Sequence, residues 1–200
     1  MKHDTNNYWS NVTMKVIGFN ASPRKNGNTA WAINKILENA HKKGIETQLW
    51  NCADLNIKPC QGCLSCHKEG NHGCVINDDM QKLYRELESV ETLILGTPIY
   101  MGQMAAQAKT FIDRLFAHIS PRFSPYYKEK ENKTKLILIF TQGNPDTNKF
   151  NTYIEYTKQM FQLLEFDVKE VVIVTGTRSK AASEQEELHK ILENIDLPFL

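Results

Sequence analysis

No apolar run in this 200-residue chain is longer than about five residues, far short of the roughly 20 needed to carry a helix across a bilayer. The segment Met1 to Asn11 is polar and lacks the apolar stretch of a secretory signal, so the expected location is the cytoplasm. Net charge is nearly absent: 24 basic residues face 23 acidic ones, leaving +1. No general field therefore draws the molecule to nucleic acid or anionic lipid, although a local patch stays open. There is no internal repeat, no low-complexity tract and no Pro/Gly-rich linker; the one irregular polar insertion, Ser120 to Asn132, is too short to divide domains. Cysteine is scarce and clustered: of five, Cys60, Cys63, Cys66 and Cys74 share one short stretch and Cys52 stands outside it. A secreted disulfide scaffold spreads its cysteines to staple a small core, whereas this cluster reads as metal or redox chemistry.

Hydrophobic residues make up 41% and charged residues 24%, close to a soluble globular average. A chain of this length buries roughly 70% of its unfolded surface and needs no staple. The expected organisation is a polar extension over residues 1–11 and one domain over 12–200, with a cysteine loop at about 60–76. Short branched runs alternate with segments of helical period. Strands are expected at Val12–Phe19, Glu46–Trp50, Thr92–Leu95, Leu136–Phe140 and Val171–Val174. Between them Ile33, Ile36, Leu37 and Ala40 recur on one helical face, as do Met80, Leu83, Tyr84 and Leu87, then Ala108, Phe111, Ile112 and Leu115. Phe150 to Leu164 and Leu188 to Ile195 supply two more helices. Asn28 and Thr29 are expected to cap the first helix, and Asp78 with Gln81 has the form of a capping box. Strands apolar on both faces, alternating with helices, define a three-layer α/β domain around a parallel sheet.

In such a sheet ligands gather beyond the carboxyl ends of the strands, where strand order reverses. Three loops there carry chemistry. Asn20–Thr29 (NASPRKNGNT) joins a strand to a helix and offers free N–H groups, the Ser22 and Thr29 hydroxyls, Asn28 and the Arg24 guanidinium, a set suited to a phosphate monoester. It lacks the Gly-Lys-Ser/Thr of a P-loop and the Gly-x-Gly-x-x-Gly of a dinucleotide fold; an ordinary capped turn is the plain alternative. Gly96–Gly102 (GTPIYMG) presents Pro98, Ile99, Tyr100, Met101 and Gly102, a defined path with flat and polarizable side chains for a planar ring. Core filling would explain the same residues. Thr141, Gln142 and Gly143 end the fourth expected strand, where glycine lets backbone approach a ligand.

On Ser22-Pro23-Arg24, Gly27-Asn28-Thr29, Pro98-Ile99-Tyr100-Met101-Gly102, Gln103-Met104, Lys109-Thr110-Phe111 and Asp113-Arg114, the sequence resembles the NAD(P)H-dependent FMN reductase family of flavodoxin-like proteins. The resemblance runs from about Met14 to the last helix. It implies a five-stranded, doubly wound sheet of order 2-1-3-4-5 and FMN held by the three loops, its phosphate at the first and its ring at the second.

Cys60, Cys63 and Cys66 recur every third residue, and Cys74 follows on a glycine-bearing arm. That pitch suits three thiolates around one face of a [4Fe-4S] cluster with a fourth closing it. Structural zinc and unliganded reduced thiols remain the other readings. His67 and His72 could tune or replace a ligand; His3, His41, His118 and His189 read as solvated, and Cys52 as a small buried hydrophobe. The cysteine pattern is similar to that of the iron-sulfur flavoproteins within the family.

The resulting expectation is an FMN-dependent oxidoreductase without a protein catalytic base, moving electrons between a donor such as NAD(P)H or ferredoxin and an acceptor through FMN and a [4Fe-4S] cluster. A cluster-free NAD(P)H-dependent reductase of FMN, quinones or nitro compounds, and a non-enzymatic electron carrier, are the alternatives. Phe123, Tyr126 and Tyr127 in the polar insertion suggest a homodimer or homotetramer.

Overall fold

Each parallel strand turns alternate side chains to opposite sheet faces, and the two sets of buried residues are what the helices cover. In a computed structural model, residues 14–68, 73–117 and 133–197 are described. The order is β1 (Lys15–Asn20), α1 (Asn28–Lys42), β2 (Glu46–Asn51), α2 (Met80–Ser89), β3 (Thr92–Tyr100), β4 (Gln103–Met104), α3 (Ala106–Leu115), β5 (Lys135–Thr141), α4 (Asn151–Leu163), β6 (Asp167–Val174) and α5 (Glu186–Glu193). The parallel sheet runs β2-β1-β3-β5-β6, and β4 turns back antiparallel on the end of β3. This is the expected doubly wound flavodoxin-like order, with the two-residue β4 added. The extension 1–11, the histidines His3, His72 and His118, and the insertion Ser120–Asn132 lie outside the described residues.

Ile17, Phe19, Leu93, Leu95, Leu136, Leu138 and Phe140 pack with α2, α3 and α4 on one face. Val16, Ile94, Ile137, Ile139, Val172 and Val174 pack with α1 and α5 on the other. Phe19 stacks on Phe111 with ring centroids 4.0 Å apart. Helix α1 lies close against the strands because Gly18 and Gly96 have no side chain there: a Cβ would come within 2.5 Å and 2.7 Å of Ile33, respectively. Register aligns Asn20 with Gly96, Pro98 with Thr141 and Thr141 with Val174. All the loops singled out in the sequence thus meet at one edge of the sheet, on either side of the β1/β3 reversal.

The capping expectations are corrected. Gly27, not Asn28 or Thr29, is the N-cap of α1, and it has no side chain to cap with. The Asp78–Gln81 capping box is absent: Asp78 accepts from Lys58 N–H (2.9 Å) and Met80 N–H (3.0 Å), while the Gln81 amide donates to the carbonyls of Cys74 and Ile76. Asp78 is drawn to distant Lys58 and Arg114, and Gln81 reaches back to the carbonyls of the preceding loop, so neither side chain completes the box.

Candidate active site

The first loop is built by its own side chains. Asn20 is fully buried; its amide donates to Asn51 Oδ1 (2.9 Å) and its Oδ1 accepts the Ser22 N–H (3.2 Å). Ser22 Oγ in turn accepts the Arg24 N–H at 3.1 Å. These Asx- and Ser-type turns shape residues 20–27 without using the N–H groups of the first turn of α1. Asn28 Oδ1 points away to the Ala182 N–H (2.9 Å), and Thr29 Oγ1 bonds Thr141 Oγ1 (2.7 Å), tying the first loop to the third. A helix start of a fifteen-residue helix is thereby left without a side-chain cap among the described residues, and such a start favours an anion.

The second loop is a tight hairpin. Met101 and Gly102 take left-handed φ values of 49° and 81°, reversing the chain between β3 and β4. The Ala105 N–H donates to Thr97 Oγ1 and the Pro98 carbonyl, and Met104 N–H donates to Tyr153 Oη (3.1 Å), so the turn is pinned to α4. At its tip Met101 is fully exposed and Tyr100 is 45% exposed. Two large side chains are held out on this turn, so they do not fill the core as their residue types allow. In the third loop Gln142 is buried: its amide donates to the carbonyls of Asn144 (3.2 Å) and Asp146 (2.7 Å), but its Oε1 has no partner. An orphaned buried acceptor beside Gly143 is a place where a ligand N–H would be satisfied.

Behind this edge the chain from β2 to α2 carries the cysteines. Cys52 is buried and donates to the Ser22 carbonyl (3.2 Å), and burial pushes its thiol up to about 11. Cys60 and Cys63 are exposed, and Cys66 and Cys74 are half-buried. Among the described residues no group of three or more His, Cys, Asp or Glu side chains is placed to hold a metal ion. This overturns the expectation of a [4Fe-4S] cluster on Cys60, Cys63, Cys66 and Cys74, and with it the iron-sulfur and metal-binding reading. The physical reason lies in the loop: Cys60 Sγ accepts the Gly62 N–H (3.5 Å), Cys63 bonds Ser65, and a left-handed Leu64 (φ 55°) turns the chain into a single 3-10 turn at Ser65–His67. Sequence pitch brings the thiols near one another but does not aim them at one point. Ser65 holds the Cys63 thiol below its ordinary value, whereas burial and then the neighbouring Cys74 push Cys66 up. Iodoacetamide at mildly alkaline pH should therefore modify Cys63 first and leave Cys52 untouched in the native protein, as read by peptide mass mapping. Cys52 reacting as fast as Cys63 would contradict this order.

Sequence reasoning missed the clamp that holds this loop. The Asp78 carboxylate and Arg114 guanidinium form a doubly hydrogen-bonded pair at 2.6 and 3.1 Å, both side chains fully buried, and Arg114 also donates to the Lys58 carbonyl. Asp79 accepts the Asn56 N–H at 2.6 Å. Asp78 read as a cap and Arg114 as part of a family motif, and with 36 residues between them no local pattern joins the two.

A doubly wound parallel sheet of order β2-β1-β3-β5-β6, with these three loops gathered at its switch point, defines a flavodoxin-like protein. Residues 14–199 match the NADPH-dependent FMN reductases, and the chain belongs to that family of oxidoreductases. It is 40% identical over 101 residues to an iron-sulfur flavoprotein of Methanocaldococcus jannaschii, covering 50% of this chain and 51% of that one. The match thus spans about half the length of that curated relative. An FMN-dependent NADH:quinone oxidoreductase of Metamycoplasma arthritidis is 26% identical over 86% of this chain and 91% of its own. Among solved structures, an NAD(P)H:quinone oxidoreductase from Methanothermobacter marburgensis superposes with a TM-score of 0.71 at 13% identity, covering 90% of this chain and 96% of that one. That likeness is one of fold. No helix among the described residues is long and apolar enough to cross a membrane.

Proposed function

We propose that the protein is an NAD(P)H-dependent FMN oxidoreductase that reduces small acceptors such as quinones or nitro compounds, without an iron-sulfur centre. The observation that carries this reading is the uncapped N-terminus of α1 lying at the same sheet edge as the exposed Tyr100–Met101 turn. The residues fit FMN. Ser22, Arg24 and the first-turn N–H groups of α1, with Asn28 and Thr29 fixed by their own partners, would hold its phosphate. Pro98, Ile99, Tyr100, Met101 and Gly102 would support its ring, and Thr141, Gln142 and Gly143 would meet its polar edge, where Gln142 Oε1 lacks a donor. When bound, FMN supplies the hydride and electron chemistry. The chain contributes orientation and fixed dipoles rather than a proton-transferring side chain.

Support for the enzyme over an electron carrier comes from the net charge of +1, which offers no strong docking field. A homo-oligomer is proposed with it, because α4 leaves Tyr156, Met160 and Leu163 exposed at helical spacing. Reconstitution followed by release and mass spectrometry should return about one FMN per chain and no FAD. The loaded protein should oxidise NADH or NADPH only when a quinone or nitro acceptor is present or oxygen accepts the electrons. Failure to retain any flavin overturns the proposal, and a monomer by light scattering at all concentrations overturns the assembly.

A further inference from the structure

The loop after β6 had no assigned role in the sequence, yet it is fastened to the third ligand loop. Thr177 donates both its N–H (3.1 Å) and its hydroxyl (3.0 Å) to the Gln142 carbonyl, and the Gly176 N–H donates to the Asn144 carbonyl at 2.9 Å. The loop closes on itself through the N–H groups of Ser179 and Lys180, both bonded to the Gly176 carbonyl. Gln185 braces it from behind, donating to the carbonyls of Thr175 and Lys180. From this bracket the Arg178 side chain crosses directly over Gly143. A Cβ at position 143 would lie 2.6 Å from Arg178 Cγ, 2.9 Å from Nε and 3.0 Å from Cδ. Residue 143 must be small for the arm to lie there.

Arg178 is exposed, and its guanidinium makes no hydrogen bond or ion pair among the described residues. A long cationic side chain loses rotamer freedom when it is laid along backbone, and among the described residues no ion pair offsets that loss. Its Nε stands beside Gly143, in the loop that also carries the orphaned Gln142 Oε1, at the edge where the loops meet. A cation with free donors beside Gly143, on a loop that carries an unpaired acceptor, matches a ligand that presents both an N–H and a developing negative charge.

We propose that Arg178 is the charge that stabilises the reduced flavin, an assignment that rests on the FMN reading above. Hydride transfer from NAD(P)H to FMN leaves NAD(P)+ and a reduced flavin that has gained two electrons and one proton, and so carries one additional negative charge on its ring. A guanidinium held at the ring's polar edge favours that product over oxidised FMN. Arg178 accordingly sets the reduction equilibrium and has little to do with the phosphate.

The test is a dye-equilibration redox titration of FMN-loaded wild type, Arg178→Gln, Arg178→Lys and Lys180→Ala, with oxidised FMN and riboflavin affinities measured by fluorescence quenching. Arg178→Gln keeps the stem over Gly143 and should shift the two-electron equilibrium about tenfold toward oxidised flavin, about 30 mV. Arg178→Lys should recover most of that shift, and Lys180→Ala, which alters a neighbouring cation, should show none. Oxidised FMN and riboflavin should bind Arg178→Gln almost as tightly as wild type. An unchanged potential in Arg178→Gln overturns the inference, as does a loss of FMN affinity without a loss of riboflavin affinity, which would make Arg178 a phosphate anchor. Wild-type protein that binds no flavin would instead overturn the reading of the site.

Discussion

Replacing Arg114 with alanine should destabilise the fold by about 3–5 kcal/mol, because it leaves the Asp78 carboxylate buried with its counter-charge gone. In a domain of this size that corresponds to a fall in melting temperature of about 10 °C. Burial alone would raise the Asp78 carboxyl, but the Arg114 guanidinium and the N–H groups of Lys58 and Met80 outweigh it and hold the group below its ordinary value of 3.8. A carboxyl depressed in the folded state contributes stability above its unfolded pKa and loses it as pH falls through the folded one. The wild type should therefore weaken on acidification below about pH 4, and its advantage over Arg114→Ala should narrow there. The double variant Asp78→Leu with Arg114→Met removes both charges and should recover much of the loss at neutral pH. Thermal melts of the three proteins at neutral pH and about pH 3 check this. Equal melting temperatures for wild type and Arg114→Ala would show that the pair is not the clamp its burial implies.

The pair also explains how a loop with little regular structure keeps its place. Between β2 and α2 the described residues form only short 3-10 turns, at Cys52–Asp54 and Ser65–His67. Asp78 and Asp79 tie its two ends together through Lys58 and Asn56, Gln81 holds the Cys74 and Ile76 carbonyls, and Arg114 fastens the assembly to α3, where Tyr84 Oη caps the Arg114 carbonyl at 2.7 Å. Limited proteolysis should cut Arg114→Ala within residues 55–77 sooner than the wild type.

What the sequence made legible follows the range of the interactions involved. The continuous apolar run Leu136–Phe140 and the helical spacing of Ile33, Ile36, Leu37 and Ala40 are local, and both elements lie where expected. Loop positions at the carboxyl ends follow from topology, so Ser22, Tyr100 and Gly143 were found together. Partners distant in sequence were not legible. Thr29 reads as a cap but bonds Thr141, 112 residues away; Asp78 reads as a cap but pairs with Arg114; and nothing near Gly143 announces the Arg178 arm. The cysteine spacing failed for a related reason. A pitch of three sets how far apart the thiols are, but the left-handed Leu64 and the bonds to Gly62 and Ser65 set where they point.

The phosphate assignment turns on a helix start that carries no cap, and Gly27→Asp tests it with opposed effects on fold and ligand. Gly27 has φ −89° and ψ −178°, extended backbone that aspartate adopts without strain. Its Cβ would stand 3.2 Å from Arg24 Cβ, a contact that an exposed arginine relieves with a small shift. An aspartate there would accept from the first-turn N–H groups of α1 and place a negative charge at the positive end of the helix. Relative to glycine the cap contributes a few tenths of a kcal/mol and the dipole about 0.3–1. The apoprotein should therefore melt at the same temperature as wild type or slightly higher. The same carboxylate occupies the donors a phosphate needs and repels it, so FMN affinity should fall at least tenfold, given the roughly 1.5–3 kcal/mol of a hydrogen bond to a charged group. Riboflavin, which lacks the phosphate, should bind wild type and Gly27→Asp about equally. Thermal melts of the apoproteins and fluorescence titrations with the two flavins separate the cases. FMN affinity unchanged in a folded Gly27→Asp protein would mean that the phosphate does not sit at the start of α1. Equal losses for FMN and riboflavin would mean that the substitution disturbs the ring-supporting turn instead.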